Sequence, residues 1–324
     1  MTSRTFVLRA ALFAGAAIIA VIATIDSSSA QQNPYLGRWN LTPAGADARG
    51  AYWLEIKEDG GKLTGMFLNR GGHPVPLGTV KVENGELFFQ MAPTQRGAAP
   101  EFRARINGDK LAGTIKNPAG TTEFAGARPP KWPAANANAA HKFGKPVALF
   151  DGKSMDAWDV TDKGRPMGWS VVDGTMTNNP KANNLVSKEK FQDYKIHAEY
   201  KLEPNSNSGI YIRGRYELQV LDDFGKESHN RSHMSVYGWH KPLVNASKPV
   251  GEWQTMEATV VANKVTVVLN GQKVQDNVTL EAITGGALDA NEAEPGPVMI
   301  QGDHEKVTYR NITVTPILDG RNKT

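Results

Sequence analysis

Apolar and polar positions alternate with period 2 along most of this chain, in short runs. Between Pro34 and Arg128 the runs read Y-L-G-R-W, A-Y-W-L-E-I, K-L-T-G-M-F-L, T-V-K-V, E-L-F-F-Q-M, E-F-R-A-R-I, K-L-A-G-T-I and T-E-F-A-G. Asp59-Gly60-Gly61, Asn84-Gly85, Asn107-Gly108-Asp109 and Ala119-Gly120 punctuate them. Alternation places every second residue on a buried face, and an Asn-Gly pair supplies the positive φ that a two-residue hairpin turn needs. About eight consecutive strands joined by tight turns predict a small antiparallel β-barrel or meander. It is expected over residues 31–128.

Residues 129–145 mix Pro, Ala and Asn without a period and predict a semi-extended linker. From residue 146 to 317 strand-like runs resume, and residues 318–324 form a tail. Roughly ten strands with no alternation of strand and helix predict a two-sheet antiparallel sandwich, so the chain reads as all-β. Only Leu280 to Leu288 hints at a helical period.

The stretch from His197 to Asp222 carries the richest chemistry. Ile196, Ala198, Tyr200 and Leu202 share one face of a strand, with His197 and Glu199 on the other. After the turn N-S-N-S-G, Ile210 and Ile212 point one way, and Tyr211 and Arg213 the other. Leu218 and Val220 then face inward, opposite Glu217 and Gln219. The expectation is one polar sheet surface holding His197, Glu199, Tyr211, Arg213, Glu217 and Gln219. Two carboxylates, an imidazole, a guanidinium and an amide suit a polyol-binding or acid/base site; a wet face laced with ion pairs gathers the same groups.

Composition narrows the setting. Arg4 and Arg9 precede an apolar run from Ala10 to Ile25, and Ser28-Ser29-Ala30 offers small residues for cleavage, so residues 1–30 read as a secretory signal. The chain has no Cys, which excludes thiol nucleophiles, thiolate metal sites and disulfides. Export without disulfides fits a bacterial periplasm or exterior. A formal net charge of +4, with no basic run interleaved with aromatics, argues against nucleic acid. Nothing amphipathic beyond the leader suggests lasting membrane association once the signal is removed. Oligomeric state leaves no trace in the pattern.

Other candidates are weighed on their surroundings. Gly152-Lys153-Ser154 lacks the earlier glycine of a phosphate loop, Val147 standing in its place, and no G-x-S-x-G occurs. His229-x-x-x-His233 has the spacing of a helical zinc pair, but the segment reads as a loop. Asp222 and Asp223 could offer oxygen to a hard cation, so Asp222 and His233 are the candidate metal ligands. Asp303-His304-Glu305 closes a strand, where side chains project over a sheet. Tyr237 and Trp239, in the His-rich loop, are the aromatics expected to stack on a sugar. His73, between Gly71-Gly72 and Pro74, reads as a loop residue in a barrel that presents no convergent ionisable set and serves as an accessory domain.

The early G-x-W and the repeated K-L-x-G resemble lipocalin-like barrels. More specifically, L-F-D-G-K-S-M-D-A-W, G-W-S-V-V-D-G-T-M, F-Q-D-Y-K-I-H-A-E-Y, N-S-G-I-Y-I-R, Y-E-L-Q-V-L-D, G-E-W-Q-T and V-T-Y-R-N-I-T-V-T-P-I resemble, in order, the 3-keto-disaccharide hydrolase domain family over residues 146–317. The resemblance implies a concanavalin A-like jelly-roll sandwich with its site on the concave sheet. Glu199, Asn207, Arg213, Glu217, Gln219 and Asp222 fit the family pattern, while Gln254 stands where many members have Asn. It also implies action on glycosides already oxidised at C3, where a ketone acidifies the C2 proton, an enolate expels the C1 substituent, and water completes net hydrolysis. Such a route needs a base, an acid and an oxyanion stabiliser. Glu199 or His304 is then the base, Glu217 or His240 assists the leaving group, and Arg213 or a divalent metal (Ca, Mg, Mn or Zn) steadies the enolate. His197, Asn207, Tyr211, Arg213, Gln219, Tyr237 and Gln301 are the expected substrate contacts. A two-carboxylate glycosidase using Glu199 and Glu217 stays open. So does a non-catalytic carbohydrate-binding module.

Overall fold

The computed structural model describes residues 33–45, 50–93 and 99–321; the expected leader lies outside them. Eight strands come first: β1 (Gly37–Pro43), β2 (Tyr52–Asp59), β3 (Lys62–Leu68), β4 (Val75–Glu83), β5 (Glu86–Met91), β6 (Glu101–Asn107), β7 (Lys110–Asn117) and β8 (Gly120–Ala127). They close in sequence order into a barrel, with β1 pairing β8. Asn84 and Gly85 adopt φ of 52° and 71° between paired Glu83 and Glu86, the left-handed turn expected of an Asn-Gly link. The interior holds Trp39, Leu41, Leu54, Ile56, Phe67, Leu87, Phe89 and Phe102, all nearly inaccessible. Stacked Phe89 and Phe102, with ring centroids 4.6 Å apart, help fill it. A small closed barrel packed this way has a side-chain core where larger ones hold ligand.

Thirteen more strands follow: β9 (Val147–Phe150), β10 (Trp158–Val160), β11 (Trp169–Val172), β12 (Thr175–Asn178), β13 (Leu185–Phe191), β14 (Tyr194–Leu202), β15 (Asn207–Ile212), β16 (Tyr216–Leu221), β17 (Trp253–Val261), β18 (Lys264–Leu269), β19 (Gln272–Thr279), β20 (Gly296–Ile300) and β21 (Val307–Pro316). One sheet has the order β10-β13-β20-β15-β16, and the other the order β11-β12-β21-β14-β17-β18-β19 with β9 added to β21. The core between them takes the alternate residues that the pattern picked out: Ile196, Ala198, Tyr200 and Leu202 from β14, Ile210 and Ile212 from β15, and Leu218 and Val220 from β16. The fold is an all-β barrel followed by a jelly-roll-type sandwich. The helical hint at Leu280 to Leu288 is not realised; Gly285 and Gly286, residues of low helix propensity, lie in this non-helical loop.

Barrel and sandwich belong to one compact unit, Tyr35–Thr324. Trp53 explains how. Its neighbours Tyr52 and Leu54 point into the barrel, so Trp53 points out, yet it is 1% exposed. It joins Ala51 and Leu68 against Ala282, Ile283 and Ala287 of the sandwich and meets Trp239 edge-on, with centroids 4.9 Å apart. An edge-to-face pair of this kind adds roughly 0.5–1.5 kcal/mol beyond the area it buries. Polar ties flank the patch: Arg38 to Glu281 at 2.8 Å and Asn40 to Glu292 at 2.6 Å, with Tyr216 donating to the same Glu292 at 2.6 Å. The linker packs along the sandwich, its Asn138 bonded to Asp276 and Thr266.

Candidate active site

A hollow of about 950 Å3 lies over the outer face of the β15–β16 pair. Strand alternation aims Asn207 and Tyr211 of β15 and Glu217 of β16 into it, with Met299 of β20 beside them. Gln301, Asp303 and His304 arrive from the turn after β20. Asp162, Arg165 and Asn184 make one rim, and the segment from Gly285 to Leu288 another. The barrel supplies the remaining wall with Gly50, Arg70, Gly71 and Gly72.

Glu217 is the buried carboxyl of the hollow, 4% exposed. Burial disfavours its charged form and pushes its pKa up to about 8, while its hydrogen bond to Tyr211 pulls the other way. At neutral pH it therefore carries a proton. The Tyr211 hydroxyl donates to the Gly285 carbonyl at 2.9 Å and has the Glu217 carboxylate as a second acceptor once that group ionises. The surrounding backbone is built to fit these groups. A Cβ at Gly286, where φ is +82°, would stand 2.5 Å from the Tyr211 hydroxyl. The Glu217 amide donates to Thr284 Oγ1 at 2.8 Å, which fixes this loop to the start of β16.

Across the hollow, His304 and Asp303 form a dyad, Nδ1 to Oδ1 at 2.8 Å. The Asp303 hydrogen bond raises the His304 pKa above its ordinary 6.5, against the opposing effect of burial. Burial works to raise Asp303, but the bond and charge of His304 outweigh it and hold that carboxyl low. An Nδ1–H aimed at Asp303 leaves the neutral ring's lone pair on Nε2, as a general base requires. Asn184 Oδ1 accepts from the Gly302 and Asp303 amides at 2.8 and 3.1 Å and so shapes the turn. The Gln301 Oε1 atom is buried with no hydrogen-bond partner among the described residues, an acceptor poised for something not made of protein.

Of the sequence candidates, Glu217, His304, Asn207, Tyr211, Tyr237 and Gln301 converge here. The others do not, and the single polar face expected for them is divided. His197 and Glu199 sit on β14, in the other sheet, and face outward on the far side of the sandwich. Glu199 is bound there by Arg310 at 2.6 Å and Asn311 at 3.0 Å, with His197 3.6 Å away. Arg213 lies past the end of β15 at φ 52°, which turns its side chain away from the Tyr211 face. It is wholly buried, donates to the Ala262 carbonyl, and lies 5.5 Å from the Trp132 ring centroid. Gln219 faces out of the core but is covered by the segment around Met234, whose amide bonds the Gln219 carbonyl at 2.7 Å.

The two metal candidates also separate. His233 is buried, with Nε2 2.7 Å from the Tyr200 hydroxyl and Nδ1 2.9 Å from the Leu221 backbone. Burial lowers its pKa to about 4, so it is a neutral core histidine. Asp222 accepts from the Asn205 amide at 2.9 Å in the turn between β14 and β15. Among the described residues no three His, Cys, Asp or Glu side chains gather closely enough to hold a metal. His240 closes a small turn with Val236, its Nε2 buried with no partner among the described residues and outside the lining of the hollow. Trp239 is part of the barrel interface and takes no place in the hollow.

Sequence reasoning missed Arg70, Asp162, Arg165 and Asn184, and it dismissed the barrel. One signal was present: the doublets Gly71-Gly72 and Gly285-Gly286. A Cβ at Gly285 would meet the Gly72 carbonyl at 2.1 Å, so the two doublets pack backbone to backbone.

Residues 145–315 match the profile of the 3-keto-alpha-glucoside-1,2-lyase-like domain. A curated relative, the 3-keto-disaccharide hydrolase of Bacteroides thetaiotaomicron, is 26% identical over 159 aligned positions, covering 38% of this chain and 54% of the relative. The chain thus spans about half the length of that relative. A solved structure of a provisionally assigned glycosyl hydrolase from Parabacteroides distasonis is 32% identical, with a TM-score of 0.48, over 53% of this chain and 84% of that one. A second from the same organism is 22% identical, with a TM-score of 0.44, over 54% and 94%. The family match leaves all eight barrel strands outside it.

Proposed function

Since this chain belongs to the 3-keto-alpha-glucoside-1,2-lyase-like domain family, we propose that it cleaves glycosides already oxidised to a ketone at C3, by removal of the C2 proton and expulsion of the C1 substituent. The reading is carried by one observation: the hollow holds a carboxyl kept protonated by burial opposite a histidine made more basic by its carboxylate partner. Both shifts run upward, so the pair works as base and acid in the window above the His304 pKa and below about 8, where the imidazole is neutral and the carboxyl still holds its proton.

In this mechanism His304 Nε2 takes the C2 proton, and Asp303 steadies the imidazolium that forms. The electron pair left at C2 moves into the C3 carbonyl as an enolate. The side-chain amide of Asn207 is the donor that stabilises it, while Gln301 Oε1 accepts from a hydroxyl of the sugar. The enolate then collapses to a C1–C2 double bond and the C1–O bond breaks, with Glu217 giving its proton to the departing oxygen. Water adding across the double bond, C1 taking hydroxide and C2 a proton, completes net hydrolysis. His304, neutral as base, ends the elimination protonated, exchanges that proton with solvent, and C2 then takes a solvent-derived proton.

Export to the periplasm or exterior is part of the proposal and rests on the basic-then-apolar composition of residues 1–30. A non-catalytic binding module would have no use for a carboxyl held neutral in its pocket. The test is aglycone release from a 3-keto-glucoside and from the unoxidised glucoside, with wild type and Glu217→Gln. Cleavage of only the oxidised compound, reduced about 10²–10⁴-fold in the variant, supports the assignment. Binding without turnover returns the protein to the module class.

A further inference from the structure

The acid and the base both line the hollow, and hydrogen bonds tie each to a different wall. Glu217 bonds Tyr211, Tyr211 donates to the Gly285 carbonyl, and Gly286 N donates to the Arg70 carbonyl at 2.8 Å. The acid is therefore connected, link by link, to the turn of the barrel between β3 and β4. His304 connects the other way: Asp303 N donates to Asn184, while Asn183, next to Asn184, holds the rim through Thr161 and Asp162. A general acid sits beside the oxygen it protonates, so the departing group lies toward the barrel and the oxidised ring toward Asn184 and Arg165.

From this geometry we propose that the barrel turn Arg70-Gly71-Gly72 is the leaving-group subsite, with Arg70 binding the second sugar of the substrate. The proposal rests on the cleavage reading above and goes beyond it, because these residues lie outside the family match. The turn is firmly seated. Gly285 packs on Gly72 too closely for any side chain, Gly238 likewise abuts His73 and Pro74, and Arg231 reaches His73 at 3.2 Å. Arg70 is laid along the barrel surface, its Cγ 2.8 Å from where a Cβ of Gly50 would stand, and Gly50 has φ +82°. At about 950 Å3 the hollow is near the top of the range for small-molecule sites, roughly 300–1,000 Å3, with room for more than one ring. Guanidiniums (Arg70, Arg165) and carboxylates (Asp162, Asp303) both border it. Neither sign prevails, which suits a neutral polyol.

The test compares wild type, Arg70→Ala and Arg70→Lys on two compounds, a 3-keto-disaccharide and the methyl 3-keto-glucoside. Both kcat/KM and calorimetric affinity are measured. Arg70→Ala should lose about 10-fold more on the disaccharide than on the methyl glycoside, the size of one charge-assisted hydrogen bond, and Arg70→Lys should recover part of it. Equal losses on both compounds, or no loss on either, overturn the subsite. Failure of the cleavage reading is distinct, since it shows as wild type turning over neither compound. The affinities still decide the subsite in that case, with no selective loss, or no binding to wild type, counting against it.

Discussion

Gly209 and Glu217 occupy space that two side chains could not share: a Cβ on Gly209 would come within 2.5 Å of Glu217 Oε1 and 3.0 Å of Cδ. The acid of the proposed mechanism thus lies across a strand left bare for it. Gly209 is not in the left-handed region, so alanine fits the backbone there and acts only by displacing the carboxyl. Gly209→Ala should lower kcat on the order of 100-fold, the effect of misplacing a reacting group by about 1 Å, with the far-ultraviolet circular dichroism of the wild type. Unchanged kcat would remove Glu217 from the chemistry.

The pH profile follows from the same pair. His304 works as the base when neutral, so the rate rises as pH passes its pKa, which Asp303 holds above 6.5. Glu217 works as the acid when protonated, so the rate falls through about 8. The result is a bell with its basic limb near that value. Because the Tyr211 bond lowers the Glu217 pKa, Tyr211→Phe should move the basic limb upward. Steady-state kcat across pH 5–10, a range chosen to bracket ordinary His and the raised carboxyl, reads both limbs.

Stability should pay against this arrangement in a definite direction. Between 4.5 and about 8 the native state keeps the Glu217 proton that the unfolded chain has released. The native state then binds more protons, so this group's contribution is fully present below 4.5 and is lost as pH rises to about 8. Glu217→Gln removes the ionisation, and thermal melts should show it gaining on wild type as pH rises, by on the order of a few kcal/mol. A constant difference between the two melts from pH 4 to 9, a window spanning both ionisations, would contradict the raised pKa.

Glu199 provides the contrast. Its carboxylate pairs with Arg310, whose side chain is 38% exposed, on the outer face of the opposite sheet. Partly exposed pairs of this kind contribute about 0–1 kcal/mol. Glu199→Gln should therefore leave kcat/KM within about threefold of wild type, a difference too small for lost transition-state stabilisation.

Alternation along the strands made the fold legible. Ile196, Tyr200, Ile210 and Leu218 point into the core as their spacing requires, and Asn84-Gly85 turns as such pairs do. The site was legible only within each strand. Period 2 sorts His197 and Glu199 onto one face of β14, and Tyr211 and Glu217 onto the outer face of β15 and β16. It does not state that residues 203–206 carry the chain from one sheet to the other, so that these two faces look in opposite directions. Arg213 escaped for a local reason, the positive φ that follows the last residue of β15. Arg70 escaped for a distant one: its contact with the site is made through a neighbour more than two hundred positions away, Gly286, and only the glycine doublets hint at it.

The most direct test of the acid/base account is made in heavy water. A 3-keto-disaccharide is cleaved to low conversion in D2O, and the released 3-keto sugar is read by NMR at C2 against an enzyme-free control. The account predicts solvent deuterium at C2, appearing at the rate of cleavage and lost together with cleavage in His304→Ala. Cleavage that leaves the original proton on C2 would contradict it.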